Sequence, residues 1–227
     1  MTLPIFTIIT PTIGNHSLLK LKESLRAETT PFIHLVLWDS HRVENALTPE
    51  EIEDSRTFSY VIRHSYFEMP NQRNDVHLRA LGIQMTNTPF ITWKDDDVTV
   101  EPNHLAKILA YMTQSRSKLD YTFCKRRMYE PNGNIIGIDE FESIGEPNIL
   151  GYTLIDNSSL YVRLETARKL SINFMNHETY GDDRYTKDFM DSIKARGSRI
   201  PEVLVNHTAK PGLVEFFRKN IKSENVN

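Results

Sequence analysis

Three consecutive carboxylates, Asp95-Asp96-Asp97, follow the apolar run Pro89-Phe90-Ile91-Thr92-Trp93 and a lysine, Lys94. Carboxylates so close repel one another, and a folded chain relieves the repulsion with a cation or with solvent. Hard divalent ions such as Mn²⁺ and Mg²⁺ take oxygen ligands and share them with phosphates. Alternate side chains of an extended backbone point the same way, so Asp95 and Asp97 can face one ion together. The plainer alternative is a solvated acidic turn ahead of the helix that follows Pro102. A second acidic group, Gly181-Asp182-Asp183, opens another helical pattern. Acids there are either ordinary helix caps or proton acceptors. Lys125-Arg126-Arg127, with Tyr129 beside it, is either a charged strand end or a basic-aromatic patch suited to an acidic partner's phosphates. Lys210 and Arg218 lie on a basic tail that is either simply solvated or placed to neutralise a diphosphate.

Four apolar runs must position these groups. Ile5–Thr10 reads as a strand stopped by Pro11, Ile33–Trp38 as a second ending at Asp39, Thr57–Ile62 as a third and Pro89–Trp93 as a fourth. Ser17 offers an N-cap to a helix bearing Leu18, Leu21 and Leu25. A helix near Asn74–Thr86 carries Val76, Ala80 and Ile83, and one entered at Pro102 carries Leu105, Ile108, Leu109 and Met112. This alternation predicts an α/β fold, a mostly parallel central sheet flanked by helices, with ligands outside the carboxyl ends of its strands. Asp39 and the Asp95–Asp97 run both stand at such ends, on one rim.

The second half is less regular. Tyr121–Cys124 and Ile135–Ile138 read as strands joined by the turn Glu130–Asn134, and Phe141–Tyr152 as a loop. Ser159–Val162 reads as a strand and Arg163–Leu170 as a helix. Asp182-Asp183 begins a helix with Tyr185, Phe189 and Ile193 on one face, and Arg199–Val205 is a last strand, followed by His207. With no repeat or linker, residues 1–227 read as a single domain.

Composition narrows the classes. At 227 residues with 39% hydrophobic and 25% charged content, the chain can bury a proper core. A net charge of −3 gives no global basic field toward nucleic acid or anionic lipid. The lone Cys124 cannot form an internal disulfide and fits a small buried apolar residue. No apolar stretch approaches the ~20 residues that cross a bilayer, and the opening is unlike a signal peptide. A soluble, cytoplasmic protein without a transmembrane segment is the expectation.

Thr7-Ile8-Ile9-Thr10-Pro11-Thr12, Trp38-Asp39-Ser40, Arg73-Asn74 and Phe90-Ile91-Thr92-Trp93-Lys94-Asp95-Asp96-Asp97 resemble, in order and spacing, the opening half of the family 2 glycosyltransferases. The resemblance runs from about Ile5 to Leu109 and more loosely to His207. Members of that family are inverting enzymes of the Rossmann-like GT-A fold that use nucleotide sugars, most often UDP-linked. The resemblance implies a donor half over about residues 1–110 and an acceptor half over about 111–227. It implies that Pro11 and Thr12 line the nucleoside pocket, that Asp39 hydrogen-bonds the base and that Arg73 lies near the nucleotide. Asp95 and Asp97 match the DxD pair that holds Mn²⁺ or Mg²⁺, with Asp97 the direct ligand and Asp95 or Asp96 nearer the ribose and sugar. Lys94 departs from the apolar residue often found there. Asp183 matches the catalytic base, with Asp182 in place of the usual glutamate. His207 resembles a late histidine that completes the metal or diphosphate site in some GT-A enzymes.

Acceptor contacts are expected in the second half, from Asp182, Tyr152, Asn157, Ser158 and the Glu142–Asn148 loop. The acceptor itself stays open among saccharide, protein, small molecule and DNA bearing hydroxymethylated bases, and so do the donor sugar and the oligomeric state. Two other chemistries compete on the same fold. A sugar-nucleotide nucleotidyltransferase usually carries a Gly-rich basic loop after its first strand, whereas Pro11–His16 has one glycine and no Lys or Arg. A non-catalytic nucleotide- or metal-binding module would bind without turnover.

Overall fold

The computed structural model describes residues 2–39, 46–62, 74–114, 118–176 and 183–221. The four predicted strands form β1 (Phe6–Thr12), β2 (Phe32–Asp39), β3 (Thr57–Ile62) and β4 (Phe90–Trp93), all parallel, in the order β3-β2-β1-β4. Between them run α1 (Leu18–Leu25), the short α2 (Pro49–Ile52) and α3 (Asn74–Gln84). Beyond β4 the sheet becomes mixed, continuing as β8 (Leu160–Arg163), β6 (Tyr121–Tyr129), β9 (Gly197–Thr208) and β5 (Val98–Val100), with β7 (Ile135–Ile138) paired to β6. The helices α4 (His104–Gln114), α5 (Leu164–Asn176), α6 (Asp183–Ser192) and α7 (Val214–Asn220) complete an α/β fold. No helix among the described residues is long and apolar enough to cross a membrane.

Strand alternation splits the core into two layers. Phe6, Ile8, Val36 and Trp38 face α1 and α4, meeting Leu18, Leu21, Leu25, Leu105, Ile108 and Met112. Ile9, Leu35, Leu37, Ile91 and Trp93 face the other way, onto Val76, Ala80 and Ile83 of α3 and Ala167, Leu170 and Phe174 of α5. Gly82 lets α3 lie close on the sheet, because a Cβ there would stand 2.6 Å from Ile9. A third cluster, Met128, Ile136, Ala209, Phe217 and Ile221, seats α7 on the β6–β7 hairpin. Cys124 is fully buried, and burial pushes its thiol up to about 12, so it is an inert core residue.

Several boundaries differ from the sequence expectation for identifiable reasons. β1 runs through Pro11 instead of stopping there. β4 parts from β1 after Ile9, whose carbonyl accepts the Lys94 N–H at 3.0 Å. The missing Pro11 N–H therefore points past the end of β4, and no ladder bond is lost. Ser17 precedes α1 with helical backbone angles (φ −58°, ψ −27°) and makes no side-chain cap bond, because a capping hydroxyl needs an extended backbone. α4 starts at His104, not Pro102, because Asn103 takes the left-handed conformation (φ 56°) just before it.

Two differences bear on the site. β5 directly follows the acidic run and was not foreseen, since three residues carry no period. β9 extends to Thr208, so His207 lies inside the last strand and not after it. The antiparallel pairing of β5 with β9 sets Val98 opposite His207, which carries the histidine to the end of the acidic run.

Candidate active site at the carboxyl ends of the strands

β1, β2 and β4 end side by side, and their ends border a cleft of about 280 Å³. Pro11 and Thr12 of β1, Asp39 of β2 and Asp95-Asp96-Asp97 beyond β4 all line it. Seven of the residues singled out from the sequence, Lys210 among them, thus share one cavity, although 83 positions separate Thr12 from Asp95 in the chain.

Each acid of the run has a different environment. Asp95 Oδ1 accepts from Arg79 of α3 at 2.6 Å, and Arg79, itself only 3% exposed, also pairs with Asp75 at 3.3 Å. Burial would raise the Asp95 pKa, but the Arg79 guanidinium outweighs it and holds the carboxyl below its ordinary value. Asp96 accepts from Thr12 Oγ1 at 2.5 Å and from Asn15 Nδ2 at 3.2 Å. Burial, reinforced by Asp97 and Asp95, pushes Asp96 up to about 6 against those two hydrogen bonds.

Asp97 Oδ1 is buried with no hydrogen-bond partner among the described residues. It stands 3.6 Å from His207 Nε2, beyond hydrogen-bond range. Burial works against charging His207, yet Asp97 beside it holds the imidazole above its ordinary pKa.

An orphaned carboxylate oxygen facing an imidazole nitrogen fits a divalent ion. No group of three or more metal-ligating side chains occurs among the described residues, so such an ion would draw its other ligands from substrate phosphate and water, as Mg²⁺ sites commonly do. Asp97 and His207 are the pair placed to hold it. Asp95, also expected to share the ion, has one oxygen committed to Arg79, because α3 sets a guanidinium against it.

Other expected roles are relocated by the fold. Asn157 and Ser158 belong to the buried 3₁₀ turn Asn157–Ser159, 2% and 0% exposed, and so do not face an acceptor. Ser158 Oγ instead accepts the Asp95 N–H at 3.1 Å, propping the acidic run from behind. Tyr152 lies on the Phe141–Tyr152 loop, half exposed and away from the cleft lining, its amide donated to Asn148 Oδ1.

The basic cluster does not form a phosphate-facing patch. Arg126 is buried among Asp139 (2.6 Å), Glu142 and Asp156 (3.0 Å), and its Nη1 lies 3.2 Å from His207 Nδ1. Arg127 lies 3.6 Å from Glu101. Lys210 does border the cleft, whereas Arg218 pairs with Glu130 and Glu215. Arg73 and Asp182 lie outside the described residues. Asp183 is the first residue of α6, and its side chain is likewise outside them.

Arg79 and Asn15 were missed by sequence reasoning. A signal for Arg79 existed: it is the one charge in the otherwise apolar segment Leu78–Ile83, where a buried cation needs a partner. Asn15 carried none.

The family model for glycosyl transferase family 2 matches residues 7–170. No curated protein matches the chain. Among solved structures, the crystal structure of S. aureus TarS superposes with a TM-score of 0.60 at 18% identity, covering 91% of this chain and 37% of that one. S. aureus TarS 1-349 in complex with UDP-GlcNAc gives 0.60 at 18% identity, covering 91% and 59%. The same TarS fragment in complex with UDP gives 0.56 at 17%, covering 96% and 67%. At these identities the likeness shows a shared fold, and the chain spans 37% to 60% of the first three TarS chains it matches.

Proposed function

The chain belongs to glycosyl transferase family 2, and from that premise we propose that it transfers a sugar from a nucleoside diphosphate sugar, UDP-linked, to an acceptor hydroxyl with inversion. The observation that carries this reading is the cleft in which Asp39, Thr12 and the Asp95–Asp97 run meet at the carboxyl ends of parallel strands. The TarS structures holding UDP-GlcNAc and UDP share the fold and support the choice of donor.

In this reading Asp39, buried at the end of β2, accepts from the base, and Pro11 and Thr12 border the nucleoside. Thr12 and Asn15 hold Asp96 toward the ribose and sugar. Asp97 and His207 would hold a Mn²⁺ or Mg²⁺ ion, which would supply positive charge for the diphosphate of the donor. Lys210 adds a positive charge at the rim. Asp183 takes the proton from the attacking hydroxyl, a contribution of about 10²–10⁴-fold. Arg73 and Asp182 keep the donor and acceptor roles that the family resemblance gives them. A cytoplasmic setting accords with the single buried thiol, Cys124.

Calorimetric titration of UDP and UDP-sugars with Mn²⁺, with Mg²⁺ and with EDTA, followed by an assay for released UDP, tests the proposal. Binding with slow release of UDP supports it. Failure to bind any nucleoside diphosphate with either metal overturns it, and binding without release would leave a non-catalytic module.

A further inference from the structure

α3 starts beside the donor cleft, which Asp75 lines, and ends at Gln84 near the other rim of the sheet. Thr7, Ile33 and Phe58, the second residues of β1, β2 and β3, lie at that rim, with Pro89 just ahead of β4. Together with Tyr60 and Met85 they border a cavity of about 590 Å³ at the amino ends of the strands. A cavity of that size suits a small organic molecule. Phe58, Tyr60 and Met85 are exposed, so its apolar walls open to the surface.

Its polar part is a triad of buried threonines, Thr7, Thr86 and Thr88. Thr88 Oγ1 donates to the Phe90 carbonyl at 3.0 Å and therefore accepts from Thr7 Oγ1 at 2.8 Å. Thr7 in turn accepts from Thr86 Oγ1 at 2.5 Å. Every hydroxyl proton is thus consumed along the chain from Thr86 to Phe90. The Thr86 oxygen accepts, among the described residues, only the Thr88 N–H at 3.4 Å, although a hydroxyl oxygen carries two lone pairs. The triad offers the cavity an acceptor and no donor.

No charged side chain among the described residues lines the cavity. An ion entering it would shed water without gaining a counter-charge, which selects for a neutral occupant. We propose that this cavity binds a neutral amphiphile with a hydroxyl head, a lipophilic alcohol, whose O–H donates to Thr86 Oγ1 and whose apolar body lies against Phe58, Tyr60 and Met85. The assignment stands apart from the donor-site reading, because no residue lines both cavities.

Calorimetric titration of n-octanol and of sodium octanoate into the full chain, and into Thr86→Val and Met85→Trp, tests it. Wild type should bind n-octanol saturably, near one to one, and octanoate about tenfold more weakly or less, since the carboxylate is charged and has no proton to donate. Thr86→Val keeps the shape and removes the acceptor, so n-octanol affinity should fall about three- to tenfold. Met85→Trp fills the cavity from its exposed wall and should abolish saturable binding. Uptake of n-octanol without saturation, equal affinity for octanoate, or wild-type affinity in Thr86→Val each overturns the proposal. Should Thr86→Val fail to fold, Met85→Trp decides, and n-octanol binding retained there overturns the site.

Discussion

Arg79 Nη2 donates to Asp95 Oδ1 at 2.6 Å, joining the middle of α3 to the residues that follow β4. Arg79 is buried while the Asp95 side chain is 33% exposed, so the pair sits at the cleft wall with one partner inside the protein. This contact makes Asp95 part of the frame of the site, whereas Asp97 Oδ1 has no hydrogen-bond partner among the described residues.

Breaking that pair from the buried side should be expensive. Arg79→Met is expected to destabilise the fold by about 2 kcal/mol, less than a fully buried pair because water reaches Asp95. In a domain of this size that is a fall in Tm of about 4–8 °C. Asp95→Asn in the same chain should recover part of the loss, since it removes the uncompensated charge. Thermal unfolding of the two single variants and the double variant checks this, and additive losses would argue against the coupling.

The metal role divides Asp97 from its neighbours. Asp97→Asn should weaken Mn²⁺-dependent UDP binding by about 100-fold or more, above the range for residues one contact removed from a metal. His207→Ala, which removes the other proposed ligand, should weaken it by a comparable factor, about 100-fold or more. Titration calorimetry with and without Mn²⁺ reads both, and equal affinities of wild type and Asp97→Asn in Mn²⁺ would exclude Asp97 as a ligand.

The proposed proton acceptor is Asp183, at the start of α6. Asp183→Asn should lower turnover by about 10²–10⁴-fold while leaving the UDP dissociation constant within about twofold. Steady-state release of UDP, read beside nucleotide titration, separates the two. A near-normal kcat would remove Asp183 from the mechanism.

Stability should fall on mild acidification because of two buried histidines. Burial depresses His34, beside Thr10 at 3.0 Å, from 6.5 to about 4, and likewise His104, 3.1 Å from Glu28. The unfolded chain takes up these protons near pH 6.5, while the folded chain refuses them until about pH 4. Their contribution is therefore fully present above pH 6.5 and is lost as the pH falls toward 4, at most about 3 kcal/mol for each histidine. Tm measured from pH 7.5 to 5 should drop less steeply in His34→Gln than in wild type, and parallel curves would refute the assignment.

Long apolar periods and chain order were enough to place the four parallel strands, the buried faces of α1, α3 and α4, and the gathering of Asp39 with Asp95–Asp97 at one rim. These follow from local physics: side-chain period decides which face is buried, and parallel connections put every strand's carboxyl end on the same side. Contacts between elements distant in the chain were decided by the tertiary structure alone. The β5–β9 register brought His207 to Asp97, the close approach of α3 over Gly82 supplied Arg79 to Asp95, and burial of the 3₁₀ turn moved Asn157 and Ser158 from an acceptor surface to a support beneath the acids. Which acid is compensated and which is left open depends on what packs against it from 16 to 110 residues away, as the separations of Arg79 from Asp95 and of Asp97 from His207 show, and no local pattern records that.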